Sequence, residues 1–167
     1  MKILSLLLSL LAASALPTWA AGPAESGAAA GTVPGFSLPT RDGKVEADSL
    51  RGKVVLVDFW ASWCVPCKQS FPWLHEMHDR YAGNGLRIVA INLDKQREKS
   101  EAFLQANPVP FTVAYDPLGK TAEAFRVKAM PTSFLLNRAG ELVYTHAGFD
   151  RKDAAAFEQR IKQECTQ

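Results

Sequence analysis

The chain has no excess of charge of either sign. Nineteen Lys and Arg stand against seventeen Asp and Glu, a formal net charge of +2 in 167 residues. Proteins whose main partner is nucleic acid carry a strong basic excess, so that class is excluded. Cysteine is scarce: three residues are too few for a small disulfide-stapled scaffold. Internal repeats are missing, and so are long apolar runs beyond the first twenty residues. With 47% hydrophobic and 10% aromatic residues the chain can bury a sizeable core, which excludes wholesale disorder. Length and composition point to one folded domain.

The first twenty residues fall outside that domain. Lys2 precedes an apolar run from Ile3 to Leu16, interrupted only by Ser5, Ser9 and Ser14, and then Pro17. One positive charge, a short apolar stretch and small residues ahead of Ala20 form the pattern of a secretory signal peptide, with cleavage expected after Ala20. The alternative, an uncleaved membrane anchor, has a run short of the ~20 residues that span a bilayer. Residues 21–34 (AGPAESGAAAGTVP) are small and nearly uncharged, and read as a flexible linker. The folded domain is therefore expected over 35–167, exported, with the bacterial periplasm as destination.

Within the domain, strand and helix patterns alternate. Phe36–Leu38 reads as a short strand entering a turn whose Asp42-Gly43 suits a hairpin. Lys53–Trp60 and Leu86–Leu93 are continuous β-branched and aromatic runs, the mark of strands buried on both faces. The pattern predicts a helix over Val65–Tyr81, with Phe71, Leu74, His78 and Tyr81 on its inner stripe. It also predicts a helix over Glu98–Ala106, a strand over Phe111–Ala114 and a short helix over Lys120–Phe125. Strands over Thr132–Leu136 and Glu141–His146 form a hairpin, and a helix over Arg151–Gln163 turns Ala154, Phe157 and Ile161 inward. This order is that of an α/β fold, a mixed central sheet flanked by helices with an extra N-terminal hairpin.

The chemistry concentrates at Trp63-Cys64-Val65-Pro66-Cys67-Lys68. Two cysteines separated by two residues at a helix start can close a small disulfide ring. The first thiol lies where free backbone N–H groups and the positive helix end favour a thiolate. Only the thiolate attacks a disulfide, so Cys64 is the expected nucleophile. Cys67, one turn inside the helix, is the expected shielded resolving thiol. Pro66 stands where the helix does not yet need an N–H. A zinc site would need two further ligands at suitable spacing, and there is no second Cys-x-x-Cys. A purely structural disulfide would close a loop too short to add much stability. Cys165 reads as an incidental exposed thiol. His75, His78 and His146 are expected at solvent-facing or core-edge positions, with no metal and no cofactor.

The segment from Val57 to Lys68 (VDFWASWCVPCK) resembles the active-site segment of thioredoxin, and Phe36–Ile161 as a whole resembles the exported thioredoxin-like reductases of the TlpA/ResA type. Gly52–Val57, Pro72 inside the first helix and Met130-Pro131-Thr132 extend the match. The resemblance implies a thioredoxin-like fold and a role for each matched position. Asp58 corresponds to the buried carboxylate that helps deprotonate the resolving thiol, and its strand would desolvate it and raise its pKa. Pro131 corresponds to the cis-proline facing the sulfurs. Trp63, Val65, Pro66, Met130 and Pro131 are the implied substrate-contact residues. Ser70 stands where many of these proteins carry glutamate, which speaks against dedication to cytochrome c maturation. Val65 replaces the glycine of ordinary thioredoxin.

The function expected from these readings is that of an exported thiol:disulfide oxidoreductase acting mainly as a reductase. Its expected partners are proteins carrying disulfides, such as apocytochrome c or a copper-delivery protein, and a membrane thiol electron donor; the chain itself is expected to be monomeric. The alternatives are a dithiol oxidase or isomerase, and a non-enzymatic copper or zinc carrier using the same pair.

Overall fold

The computed structural model describes residues 31–167. The expected signal peptide and linker residues 21–30 lie outside the described residues. The short strand β1 (Gly31–Thr32) falls inside the segment read as linker. It pairs antiparallel with β8 (Glu141–Ala147), so the chain joins the sheet before residue 35. The expected N-terminal hairpin is β2 (Ser37–Pro39) against β3 (Lys44–Glu46). Its turn is closed by the Thr40 N–H donating to the Gly43 carbonyl at 2.8 Å, with Gly43 at φ 141°, a conformation that favours glycine.

The main sheet has six strands in the order β1-β8-β7-β4-β5-β6, where β4 is Val54–Trp60, β5 Leu86–Asn92, β6 Thr112–Tyr115 and β7 Thr132–Leu136. The centre, β4-β5-β6, is parallel; β7 runs antiparallel to β4, and β8 runs antiparallel to β7. Every residue of β4 is buried, as a strand covered on both faces requires. Its alternate residues feed two cores. Val54, Leu56 and Trp60 face α1 (Val65–Tyr81) and α4 (Arg151–Cys165), while Val55, Val57 and Phe59 face the hairpin side. On the second face Phe59, Phe125 and Phe134 form a triangle of rings with centroids 5.2 to 5.8 Å apart. On the first, Phe71 sits 4.7 Å from Trp60 and 5.1 Å from Phe103.

Two helices complete the flanks: α2 (Arg97–Ala106) and α3 (Lys120–Ala124). The inner face of α1 is Cys67, Ser70, Phe71, Trp73, Leu74 and Met77. His78 and Tyr81, expected on that stripe, are only part-buried. The apolar stripe turns toward α4, whose Phe157 ring lies 5.2 Å from Trp73. Cys165 also departs from expectation. The final helix runs two residues further than its sequence pattern implied, which carries Cys165 into the core at 5% exposure.

Candidate active site

The strand β4 ends at Trp60, and the chain turns through Ala61-Ser62-Trp63 into α1. Cys64 is the N-cap residue, with extended backbone, and its Sγ accepts from the Cys67 N–H at 3.3 Å. The helix therefore aims an amide and the positive end of its dipole at that sulfur. Cys64 and Cys67 are joined as a disulfide. The pair is asymmetric. Cys64 keeps 6% exposure, while Cys67 is wholly buried. Around Cys64 the surface is apolar: Trp63 is 65% exposed and Val65 62%, with Pro66 exposed beside them. Trp63 thus stands in solvent and contributes nothing to the core.

The turn leading to Cys64 is held by a polar cluster. Asp94 accepts from the Ser62 N–H at 2.8 Å and the Ser62 hydroxyl at 2.9 Å, and from the Asn92 side-chain amide at 2.8 Å. Asn92 and Asp94 are both buried. Sequence reading passed over this cluster. The signal was available, since two polar residues close an apolar central strand, at the carboxyl end where α/β sheets place their sites.

Asp58 lies on the α1 face of β4, at 1% exposure, on the same side of the sheet as Cys67. Burial pushes its carboxyl up to about 7, against one opposing influence, the Ser133 hydroxyl donating to Oδ1 at 2.6 Å. The other oxygen, Oδ2, is buried with no hydrogen-bond partner among the described residues. Such a carboxyl titrates near neutrality, where a proton acceptor is most useful. Ser133 is a second residue that sequence reading missed, although it is a polar break in the run Thr132–Leu136. The Met130-Pro131 peptide bond is cis. Pro131 is buried at the head of β7 and Met130 is part-buried against the core of the α1 face. Ser70 is buried one turn after Cys67, and its hydroxyl donates to the Cys67 carbonyl at 2.8 Å. Among the described residues no three His, Cys, Asp or Glu side chains gather as a metal site.

A layered sheet with a dithiol at a helix N-terminus, a buried acid on the helix-facing side of the central strand and a cis-proline at the head of the adjacent strand defines the thioredoxin-fold class. The chain belongs to the AhpC/TSA family, whose pattern matches residues 30–145. Among curated relatives it is 33% identical over 117 residues to thiol-disulfide oxidoreductase ResA of Bacillus subtilis, covering 70% of this chain and 65% of that one. It is also 30% identical over 137 residues to sporulation thiol-disulfide oxidoreductase A of the same organism, covering 80% and 83%. A structure from Chlorobium tepidum assigned as the thiol:disulfide interchange protein DsbE superposes with a TM-score of 0.80 at 44% identity, over 81% of this chain and 96% of that one. StoA from Bacillus subtilis superposes with a TM-score of 0.64 at 28% identity, over 75% and 95%. Within the family, the protein is a thiol-disulfide oxidoreductase built on the Cys64–Cys67 pair.

Proposed function

We propose that the protein is an exported reductase of protein disulfides in which Cys64 attacks, Cys67 resolves and Asp58 takes the Cys67 proton. The observation that carries this reading is the asymmetry of the dithiol. The sulfur that must meet a substrate is capped by an amide and ringed by exposed apolar side chains. The sulfur that must not meet one is sealed on the side of a buried carboxyl. In the forward step the Cys64 thiolate attacks one substrate sulfur, and the other leaves with the electron pair. Cys67, deprotonated by Asp58, then attacks Cys64 Sγ, closing the Cys64–Cys67 bond and releasing the second substrate thiolate. The substrate gains two electrons and the dithiol loses them.

Trp63, Val65 and Pro66, with the Met130-Pro131 edge, form the surface for an extended segment of substrate. Proteins with exposed disulfides are the substrate class, and apocytochrome c or a copper-delivery protein would fit it. Export rests on the residue 1–20 pattern, and among the described residues no helix is long and apolar enough to cross a membrane. The reducing direction rests on the TlpA/ResA resemblance. In an exported setting it requires a membrane thiol donor to return the dithiol to its reduced state.

The test combines a potential with a trap. The midpoint should lie nearer ~−270 mV than ~−120 mV. Cys67→Ser should accumulate Cys64 mixed disulfides with exported proteins and with the donor, identified by mass after purification from cells. A midpoint near ~−120 mV with wild-type protein found oxidised in cells would replace the reductase reading by a dithiol oxidase.

A further inference from the structure

Three side chains on adjacent strands stand in one row across the α1 face of the sheet. Asp58 of β4 pairs with Ser133 of β7, and Ser133 pairs with His146 of β8. Paired residues on neighbouring strands project to the same face, so the row runs from the interior toward the β8 side of the sheet. Its inner end is sealed, since Asp58 is buried and its Oδ2 is unpartnered among the described residues. Its outer end is open, since His146 is part-exposed. Between them lies a cavity of about 10 Å³ lined by Asp58, Ser70, Pro131, Ser133, His146 and Phe157, among others. That is the lower limit of the space one water needs, and the lining supplies the polar partners it requires.

We propose that His146 is a relay residue that carries the proton between Asp58 and solvent, through Ser133 and one water in this cavity. The relay rests on the reading of Asp58 as acceptor of the Cys67 proton. In the resolving step the Cys67 S–H proton passes to Asp58 Oδ2 and the new Cys64–Cys67 bond releases the substrate thiolate. That proton must then leave a carboxyl with no surface of its own. Imidazole can receive a proton on one nitrogen and release one from the other. When a donor thiol later reduces the disulfide, the same row returns a proton to Asp58 and so to the Cys67 sulfur. The groups facing His146 are Asp58 through Ser133, Tyr144 of its own strand stacked at 6.5 Å, and on α4 Phe157 at 5.6 Å, with Arg160 over the Tyr144 ring.

The experiment is single-turnover resolution. Reduced protein is mixed with a disulfide-bonded peptide, and decay of the Cys64 mixed disulfide is followed by quench and mass across pH about 6 to 8. His146→Ala and His146→Phe should each slow decay by about tenfold, less than the ~10²-fold or more of a direct general base. Added imidazole should restore His146→Ala, whose deletion leaves room for it, and should leave His146→Phe slow. His146→Phe keeps the contact with Phe157, so it reports on the relay even if His146→Ala loses its fold. Wild-type decay in His146→Phe, or a slowed His146→Ala that imidazole does not change, overturns the relay. Asp58→Asn is the separate arm: wild-type decay there overturns the Asp58 reading itself, whatever the His146 variants do.

Discussion

Among the described residues no cation shifts Asp58, and burial is the leading influence that raises its carboxyl, so its behaviour follows from a single cause that substitution can remove. Asp58→Asn keeps the shape and loses the proton site. We expect attack by Cys64 to stay near its wild-type rate while resolution falls by about 10²-fold near neutral pH, and the inflection near pH 7 to vanish from the resolution profile. Stopped-flow turnover of a disulfide peptide checks both steps. Reactivity should follow position in the same way. Iodoacetamide should label Cys64 of the reduced protein far ahead of Cys67, and peptide mass across pH reads the order. Equal labelling would remove the helix N-terminus as the source of reactivity. Much of this was legible in the sequence, because Cys64-Val65-Pro66-Cys67 is contiguous and Asp58 interrupts an apolar strand. Ser133 and Asp94 showed as polar breaks, but their roles did not, because their partners Asp58 and Ser62 lie 75 and 32 residues away in the chain.

At the scale of elements, the hairpin β2–β3 is tied to the sheet by an ionic knot. Glu101 of α2 accepts from the Tyr115 hydroxyl at 2.6 Å and from the Arg97 Nε at 3.2 Å, and it pairs with Arg41 of the hairpin turn. The Tyr115 and Arg41 hydrogen bonds hold the Glu101 carboxyl down at about 2. Glu101→Gln should therefore loosen the turn without touching the dithiol. Amide exchange over residues 40–46 should speed up while that of β4 stays unchanged, and equal protection in both proteins would count against the knot. The central strands were readable to within a residue or two, since a strand buried on both faces cannot hide its composition. The inner stripe of α1 was read partly off: Phe71 and Leu74 are buried on it, while Trp73 and Met77 take the places expected of His78 and Tyr81. Its choice of face depends on α4, which comes seventy residues later, and no local period reports that.

For the whole molecule, the two most strongly perturbed acids pull stability in opposite directions. The folded state holds the Asp58 proton up to about pH 7 against 3.8 for the ordinary group, so folded protein binds more protons across that window. Stability is then greatest on the acid side and falls as pH rises, by about 4 kcal/mol in all. Glu101 acts the other way. Its contribution is present above its ordinary 4.5 and is lost as pH falls toward 2, and its part exposure keeps it near ~1 kcal/mol or less. We expect the urea midpoint of the oxidised protein to peak in mildly acid buffer and to decline toward pH 8, and Asp58→Asn to remove the decline. An equal decline in that variant would mean that some other group causes it. The α/β class was legible from the order of strand and helix patterns, whereas the pairing of β1 with β8 was not, since Gly31-Thr32 carries no strand signal of its own. The burial of Cys165 matters at this scale too. A spare thiol on the surface of an exported protein would in time be captured by a second chain. Here it becomes available only when α4 lets go of the sheet. A covalent dimer linked through Cys165 would therefore be a chemical record that a molecule had once unfolded, written by the oxidants around it and legible on a non-reducing gel.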